Sequence, residues 1–238
     1  MPEDASVRLR PEPKRDGVRW LAVPHPALAA AYAAAVAPVV PVVEGALPRT
    51  VLANRVVAVH RDPAAIELEP FPVARARFRR RVREGAVGAA CALMADVRDC
   101  YGSIRPEVVG AALADLGCRR GRIGSILGVL ERFSAAGVRG LPVGPEPSAV
   151  LANAVLLRVD RALAGGGWRH VRWVDDVIVF ARDIEGARAA LATVAETLGD
   201  LGLALAPSKT RVVVDPGSIR GAGGLSRVPT HAGPSAAR

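Results

Sequence analysis

Arg169-His170-Val171-Arg172-Trp173-Val174-Asp175-Asp176-Val177-Ile178-Val179-Phe180-Ala181 is the stretch from which the fold is read. Its flanks are rich in valine, isoleucine and aromatic side chains, which suit strands, whereas an Asp-Asp pair suits a turn. A β-hairpin with two carboxylates at its tip is expected. Adjacent carboxylates repel, and a fold that keeps them together usually supplies a cation, for which a hard divalent metal is the natural candidate. The same residues also fit an ordinary acidic turn, so the rest of the chain has to decide.

Half of the 238 residues are apolar, enough for one domain with a substantial core, or one domain and a smaller lobe. The net charge of +9 and a pI near 10.8 favour a polyanionic partner such as nucleic acid. Nearly all of the positive charge is arginine, Lys14 and Lys209 being the only lysines. Cys91, Cys100 and Cys118 are odd in number and lack metal-type spacing, which fits a reduced cytoplasmic protein. His25, His60, His170 and His231 are scattered, which argues against a zinc site. Ala27 to Val43 is the most apolar stretch, but it is short for a membrane span and broken by Pro38 and Pro41. It is expected to form a buried helix and a proline-bent loop, with no membrane partner.

Residues 1–19 are charged and proline-containing and are expected to form a flexible leader. Residues 20–88 read as a small, mainly helical region with a helix over Ala27–Ala37, an extended segment over Arg49–Val59 and a second helix over Val73–Glu84. The second helix carries Arg75, Arg77, Arg79, Arg80, Arg81 and Arg83, a run that serves either as a solvated face or as a grip for phosphates. Ala89–Val97 is apolar up to Asp96, the pattern of a buried strand that delivers a carboxylate at its C-terminal end. Helical spacing follows over Arg105–Leu116 and Gly121–Phe133, and Ser148 is placed to cap a further helix running to about Leu163. Beyond the hairpin, Ile184, Ala187, Leu191, Val194, Leu198 and Leu201 share one helical face, and Thr210–Val214 suits a last strand. Residues 216–238 are rich in glycine, serine and proline and are expected to be disordered.

Residues 89–215 thus read strand, helices, strand, strand, helix, strand. This is an α+β pattern, a split βαβ unit on a ferredoxin-like antiparallel sheet with helices on one face. In that topology the strand ending at Asp96 runs parallel to the first strand of the hairpin, so Asp96 emerges at the sheet edge that holds Asp175 and Asp176. Three carboxylates drawn to one edge from distant segments describe a two-metal phosphoryl-transfer site, in which the metals stand about 3.5 to 4 Å apart.

Several ordered stretches resemble the palm motifs of the reverse transcriptases: Asp96-Val-Arg-Asp-Cys-Tyr101-Gly-Ser-Ile104, Gly140-Leu-Pro-Val-Gly144 with Ser148, Leu151-Ala-Asn153 to Asp160, Trp173-Val-Asp175-Asp176, and Leu201-Gly-Leu203 to Ser208-Lys209-Thr210. The resemblance covers Ala89 to Val214 and implies a palm over 89–215 preceded by a fingers-like region over 20–88. It implies an RNA-directed DNA polymerase of a bacterial type, serving phage defence or a retroelement, that adds deoxynucleotides (dNTPs) to a 3′-hydroxyl of an RNA or DNA primer-template. Two magnesium ions, with manganese as a substitute, would be held by Asp96, Asp175, Asp176 and the main chain of Val97. Asp99, Cys100 and the loop Pro142, Val143 and Gly144 would lie against the incoming nucleotide. Tyr101 is similar to the family's steric gate, a ring beneath the sugar that leaves no room for a 2′-hydroxyl. Trp173 would touch the primer end, and Arg75, Arg77, Arg79 and Arg80 would hold nucleic-acid phosphates.

Lys209 matches the motif lysine expected to protonate the departing pyrophosphate, a task that lysine can perform and arginine cannot. Two departures stand out: Val143 replaces a glutamine frequent in the family, and Trp173 replaces a tyrosine or phenylalanine. No primer-grip motif is evident and the chain is short for a thumb, so a partner subunit or second copy is expected to supply that wall. Two other readings stay open, a template-independent or RNA-synthesising polymerase on the same palm and a non-catalytic nucleic-acid-binding subunit.

Overall fold

The computed structural model describes residues 6–14, 17–62 and 64–221. The chain opens with a hairpin of β1 (Val7–Lys14) and β2 (Gly17–Pro24), paired from Val7↔Pro24 to Lys14↔Gly17. This replaces the flexible leader expected over 1–19, of which residues 1–5, 15 and 16 lie outside the described residues. Val7-Arg8-Leu9-Arg10 alternates apolar and charged side chains, a period-two pattern that Pro11 and Pro13 obscure, and Val18, Trp20 and Val23 supply strand-favouring residues to its partner; proline is tolerated on such an edge strand.

Helix α1 (Pro26–Val36) passes through a 3₁₀ turn (Ala37–Val39) into α2 (Val40–Ala46), where a proline-bent loop was expected. Pro38 and Pro41 fall in the first turns of their elements, where a missing N–H leaves no bond unmade. By length and composition the run Pro26–Ala46 is apolar enough to cross a membrane. Leu28, Tyr32, Val36, Val39 and Val43 are fully buried in the main core. A second hairpin, β3 (Val56–Arg61) and β4 (Ala64–Leu68), occupies the end of the expected extended segment and is followed by α3 (Phe71–Ala86).

The remaining elements are β5 (Cys91–Asp96), α4 (Cys100–Ser103), α5 (Pro106–Asp115), α6 (Arg120–Ala135), α7 (Glu146–Gly165), β6 (Arg169–Trp173), β7 (Asp176–Ala181), α8 (Ile184–Asp200), β8 (Arg211–Val213) and α9 (Pro216–Gly221). Ser148 does not cap α7. The helix starts two residues earlier, under Pro145, and the buried Ser148 hydroxyl instead shares a 3.0 Å hydrogen bond with Tyr32 Oη. Residues 216–221, expected to be disordered, form α9 and bury Ile219 beside α3, while 222–238 lie outside the described residues.

β5 to β8 make one antiparallel sheet in the order β6-β7-β5-β8. β5 and β6 both oppose β7 and therefore point the same way, as the split βαβ topology requires. One face, carrying Leu93, Ala95, Val177 and Val179, packs on α7 and α8 through the main core. The other face, carrying Ala92, Ile178 and Phe180, packs on α3 and α9, so the helices expected on one face are joined by two on the other. The reason lies in α3, where Ala74, Phe78 and Val82 recur every four residues and form an apolar stripe among the arginines.

Candidate active site

Asp96 is the last residue of β5 and stands directly opposite Asp176, the first residue of β7, so both side chains leave the sheet on the same side. Asp175 belongs to the two-residue turn Val174–Asp175, closed by the pair Trp173↔Asp176. Val174 has φ +55° and Asp175 has a negative φ, the pattern of a type II′ hairpin turn, in which glycine is the usual first resident. A β-branched residue in that region is strained by about 1–3 kcal/mol. The Asp175 carboxyl is pushed up to about 6, first by burial and then by the negative charge of Asp96.

Lys209 reaches this edge through main-chain pairing. Arg98 N donates to Ala204 O and Ala206 N to Asp96 O, both at 2.8 Å, and Lys209 N closes a turn onto Ala206 O at 3.1 Å. The Lys209 ammonium then donates to Asp96 Oδ1 and Oδ2 at 3.1 and 3.0 Å. Asp96 is 6 % exposed, so this cation rests on a carboxylate largely withdrawn from water. Among the described residues, no group of three or more His, Cys, Asp or Glu side chains is arranged to hold a metal ion. The donor set at the edge nevertheless suits a hard divalent metal: carboxylate oxygens only, with the Asp175 carboxyl pushed up by burial and then by the charge of Asp96, and with Asp96 already drawing in an ammonium group.

The segment after β5 turns sharply at Asp99, φ +44°, into α4. Val97 is buried and pairs with Leu205, and the Cys100 thiol is also buried, its pKa pushed well up by burial and then by Asp175. Tyr101 Oη accepts from Asn54 Nδ2 at 3.4 Å, and burial drives its ionisation upward. Leu141 N donates to Tyr101 O at 2.8 Å, and Val143 O accepts from Ala22 N at 2.8 Å. The loop Pro142-Val143-Gly144 is thereby clamped between Tyr101 and β2. Gly140, φ +65°, lies so close that a Cβ there would strike the main-chain oxygens of Tyr101 and Gly102.

The basic helix is less free than its sequence suggests. Arg77 gives its fork to Glu69, at 2.7 and 2.6 Å, and Nη2 also to Leu52 O, at 3.3 Å. Arg75 is buried beneath the surface, 5.2 Å from the Trp173 ring and 5.4 Å from that of Phe78. Its pKa is lowered by burial first and then by Arg79, while the charge of Asp176 opposes that shift. Arg79 and Arg80 are exposed. Trp173, expected to touch a primer end, is only 2 % exposed and is packed between Phe71 and Phe78, so its ring is a core residue here. It fills the gap between α3 and the sheet, which α3's apolar stripe creates.

Sequence reasoning missed a buried polar cluster behind the turn. Arg172, Asp160 and Asn153 are 0–2 % exposed, and Arg172 donates to the Asp160 carboxylate, to Asn153 Oδ1 and to the Val174 carbonyl. Burial alone would raise Asp160, but Arg172 and His170 outweigh it and hold the carboxyl below its usual range. The available signals were Arg172 set between Val171 and Trp173 just before the turn, and an Asn–Asp pair seven residues apart, two turns along one helix face.

The reverse transcriptase (RNA-dependent DNA polymerase) family model matches residues 54–223. No curated protein matches the chain. Among solved structures, apo telomerase from Candida tropicalis is similar at TM-score 0.56 and 12 % identity, over 88 % of this chain and 44 % of that one. Telomerase from Candida albicans in complex with the TWJ fragment of telomeric RNA is similar at TM-score 0.58 and 14 % identity, over 87 % of this chain and 42 % of that one. This chain therefore spans less than half the length of those two, and the likeness is one of fold. The family match covers more than half of the chain, and with the split βαβ sheet and its aspartate edge it assigns the protein: this chain belongs to the reverse transcriptase family.

Proposed function

We propose that this chain is the catalytic palm of an RNA-directed DNA polymerase that adds deoxynucleotides to a 3′-hydroxyl on a nucleic-acid primer-template. The observation that carries this reading is the Asp96↔Asp176 pair with Asp175 beside it and Lys209 across it. Asp96, Asp175 and Asp176, with the Val97 main chain, would hold two magnesium ions, which when bound supply Lewis-acid activation of the hydroxyl and the phosphate. Lys209, at the rim of the same edge, holds a proton for the leaving pyrophosphate oxygen as the bond from the α-phosphorus breaks. Tyr101, fixed by Leu141 and Asn54, presents its ring as the sugar gate, and the clamped Pro142–Gly144 loop lines the nucleotide. Exposed Arg79 and Arg80 contact nucleic-acid phosphates, a role the engaged Arg77 fills less well.

The test is nucleotide incorporation by the purified chain on RNA and DNA templates with magnesium, beside the double variant Asp175→Ala/Asp176→Ala. Extension of the primer by the wild type and its loss in the variant are expected. Equal extension by both would overturn the assignment.

A further inference from the structure

The guanidinium of Arg172 serves three partners at once. Nε and Nη2 hold the Asp160 carboxylate at 2.8–3.0 Å, while Nη1 donates to Asn153 Oδ1 at 2.9 Å and to the Val174 carbonyl at 2.8 Å. Asn153 Nδ2 passes the connection on to the carbonyls of Asn54 and Ala53, at 3.1 and 3.4 Å. Asn54 completes it by donating from Nδ2 to Tyr101 Oη at 3.4 Å. The main chain runs alongside: Arg172 N donates to Thr50 O at 2.9 Å and Leu52 N to Arg172 O at 3.0 Å, which hooks the segment bearing Asn54 to the same strand. A continuous set of bonds thus starts at the turn that carries Asp175 and ends at the hydroxyl of the gate tyrosine.

A buried ion pair is poor evidence of stability, because well-packed apolar residues of the same volume often do as well. What apolar residues cannot do is fix a main-chain carbonyl. Val174 occupies a left-handed conformation that suits glycine, and its carbonyl is held by Nη1 of Arg172. Only a planar fork with five donors can meet a carboxylate, an amide oxygen and a carbonyl together; a lysine head is a single point.

We propose that Asp160, Arg172, Asn153 and Asn54 form a positioning relay that sets the Val174–Asp175 turn and the Tyr101 hydroxyl together, so that the aspartate edge and the sugar-selecting ring share one geometry. Arg172 acts through the turn and is a positioning residue. The relay rests on the polymerase reading above, and it is tested by a measurement that does not need turnover.

Binding of Mn²⁺ to the full chain is followed by electron paramagnetic resonance for the wild type, Arg172→Lys, Asn153→Ser and Asn54→Gly, with circular dichroism and melting in parallel. Competitive ribonucleotide and deoxynucleotide incorporation is measured on the same preparations. Arg172→Lys keeps a charge opposite Asp160 but abandons Val174 and Asn153, so Mn²⁺ affinity falls about 10-fold or more, the size typical of lost outer-shell bonds. Asn54→Gly keeps the positive φ and the carbonyl that accepts from Asn153, and removes the bond to Tyr101; the ribo-to-deoxy ratio rises about two- to ten-fold, the worth of one modest hydrogen bond. A purely structural role would lower the melting temperature and leave both readouts where they were, which overturns the relay. If Arg172→Lys does not fold, Asn153→Ser carries the metal arm with the same two outcomes. A wild type that binds Mn²⁺ yet incorporates nothing overturns the polymerase reading, and the metal arm then decides the relay on its own.

Discussion

A proton donor must be able to give up its proton, and Lys209 is the side chain at this edge with that property in a chain that otherwise favours arginine. Its ammonium is half exposed and spans both oxygens of Asp96, so it is both within reach of solvent and anchored to the aspartate edge. Lys209→Arg is expected to slow single-turnover addition by roughly 100-fold, as for a lost general acid, with little change in nucleotide affinity; rapid quench-flow separates the two. Undiminished turnover in the arginine variant would mean that charge alone suffices. Asp160 makes a different prediction. Its folded pKa lies below that of an unfolded carboxylate, about 3.9, so the stability it contributes is complete above that pH and is lost as pH falls through the folded value. Asp160's share of the wild-type stability should therefore be constant from about pH 7 to pH 4, and the urea midpoint should fall by that share only below about pH 4. Asp160→Asn, weakened by ~3–5 kcal/mol at neutral pH through the buried Arg172 it abandons, should show a shallower drop. Asp96, Asp175, Asp176 and Lys209 could be picked out beforehand because their chemistry is unusual for their surroundings. Arg172 offers a weaker signal, since its meaning depends on Asp160 and Asn153, which only the packing of α7 against β6 brings to it.

Among the elements, the loop from Gly140 to Gly144 has its conformation dictated by a neighbouring main chain. Gly140 needs both a positive φ and the absence of a Cβ, because the Tyr101 and Gly102 main chain lies against it. Gly140→Ala should cost about 1–3 kcal/mol from backbone strain alone and displace Leu141 from Tyr101 O. A raised KM for the nucleotide, larger than the change in kcat, together with a lowered Tm would be the signature. An unchanged KM would show that the loop does not set the nucleotide site. The hairpin at β6–β7, the strand ending at Asp96 and the helix α8 follow from period and turn chemistry, which are local. The hairpins β1–β2 and β3–β4 escaped because prolines and charges interrupt their alternation. The inward stripe of α3 escaped because arginines surround it, and with it went the burial of Arg75 and Trp173.

Across the molecule, positive charge is in excess, and some arginines are committed to acidic partners. Arg172 is spent on Asp160, Arg77 on Glu69 and Arg55 on Glu44, the last at 2.7 Å; each such pair is neutral, so the +9 excess is carried by the basic side chains outside them. Exposed Arg79 and Arg80 on α3 belong to the remainder, Arg80 leaning toward Glu84 at 3.7 Å, a surface pair of little strength. A phosphate contact releases condensed counterions and shows as a salt slope, whereas a contact to a base shows as sequence preference. Removing both side chains in Arg79→Ala/Arg80→Ala should therefore weaken binding of RNA–DNA duplexes about equally for unrelated sequences, and should flatten the plot of log affinity against log salt by roughly one unit per lost contact. Arg77→Ala should behave differently: its loss frees Glu69 and Leu52 O from a structural bond, so Tm falls while the salt slope stays. Fluorescence anisotropy across a salt series, with melting curves for each variant, distinguishes these outcomes. A slope unmoved by the double variant would remove α3 from the nucleic-acid path and shift the search to the arginines of β1 and β2, where the charge of Arg19 already reaches Asp175 and Tyr101.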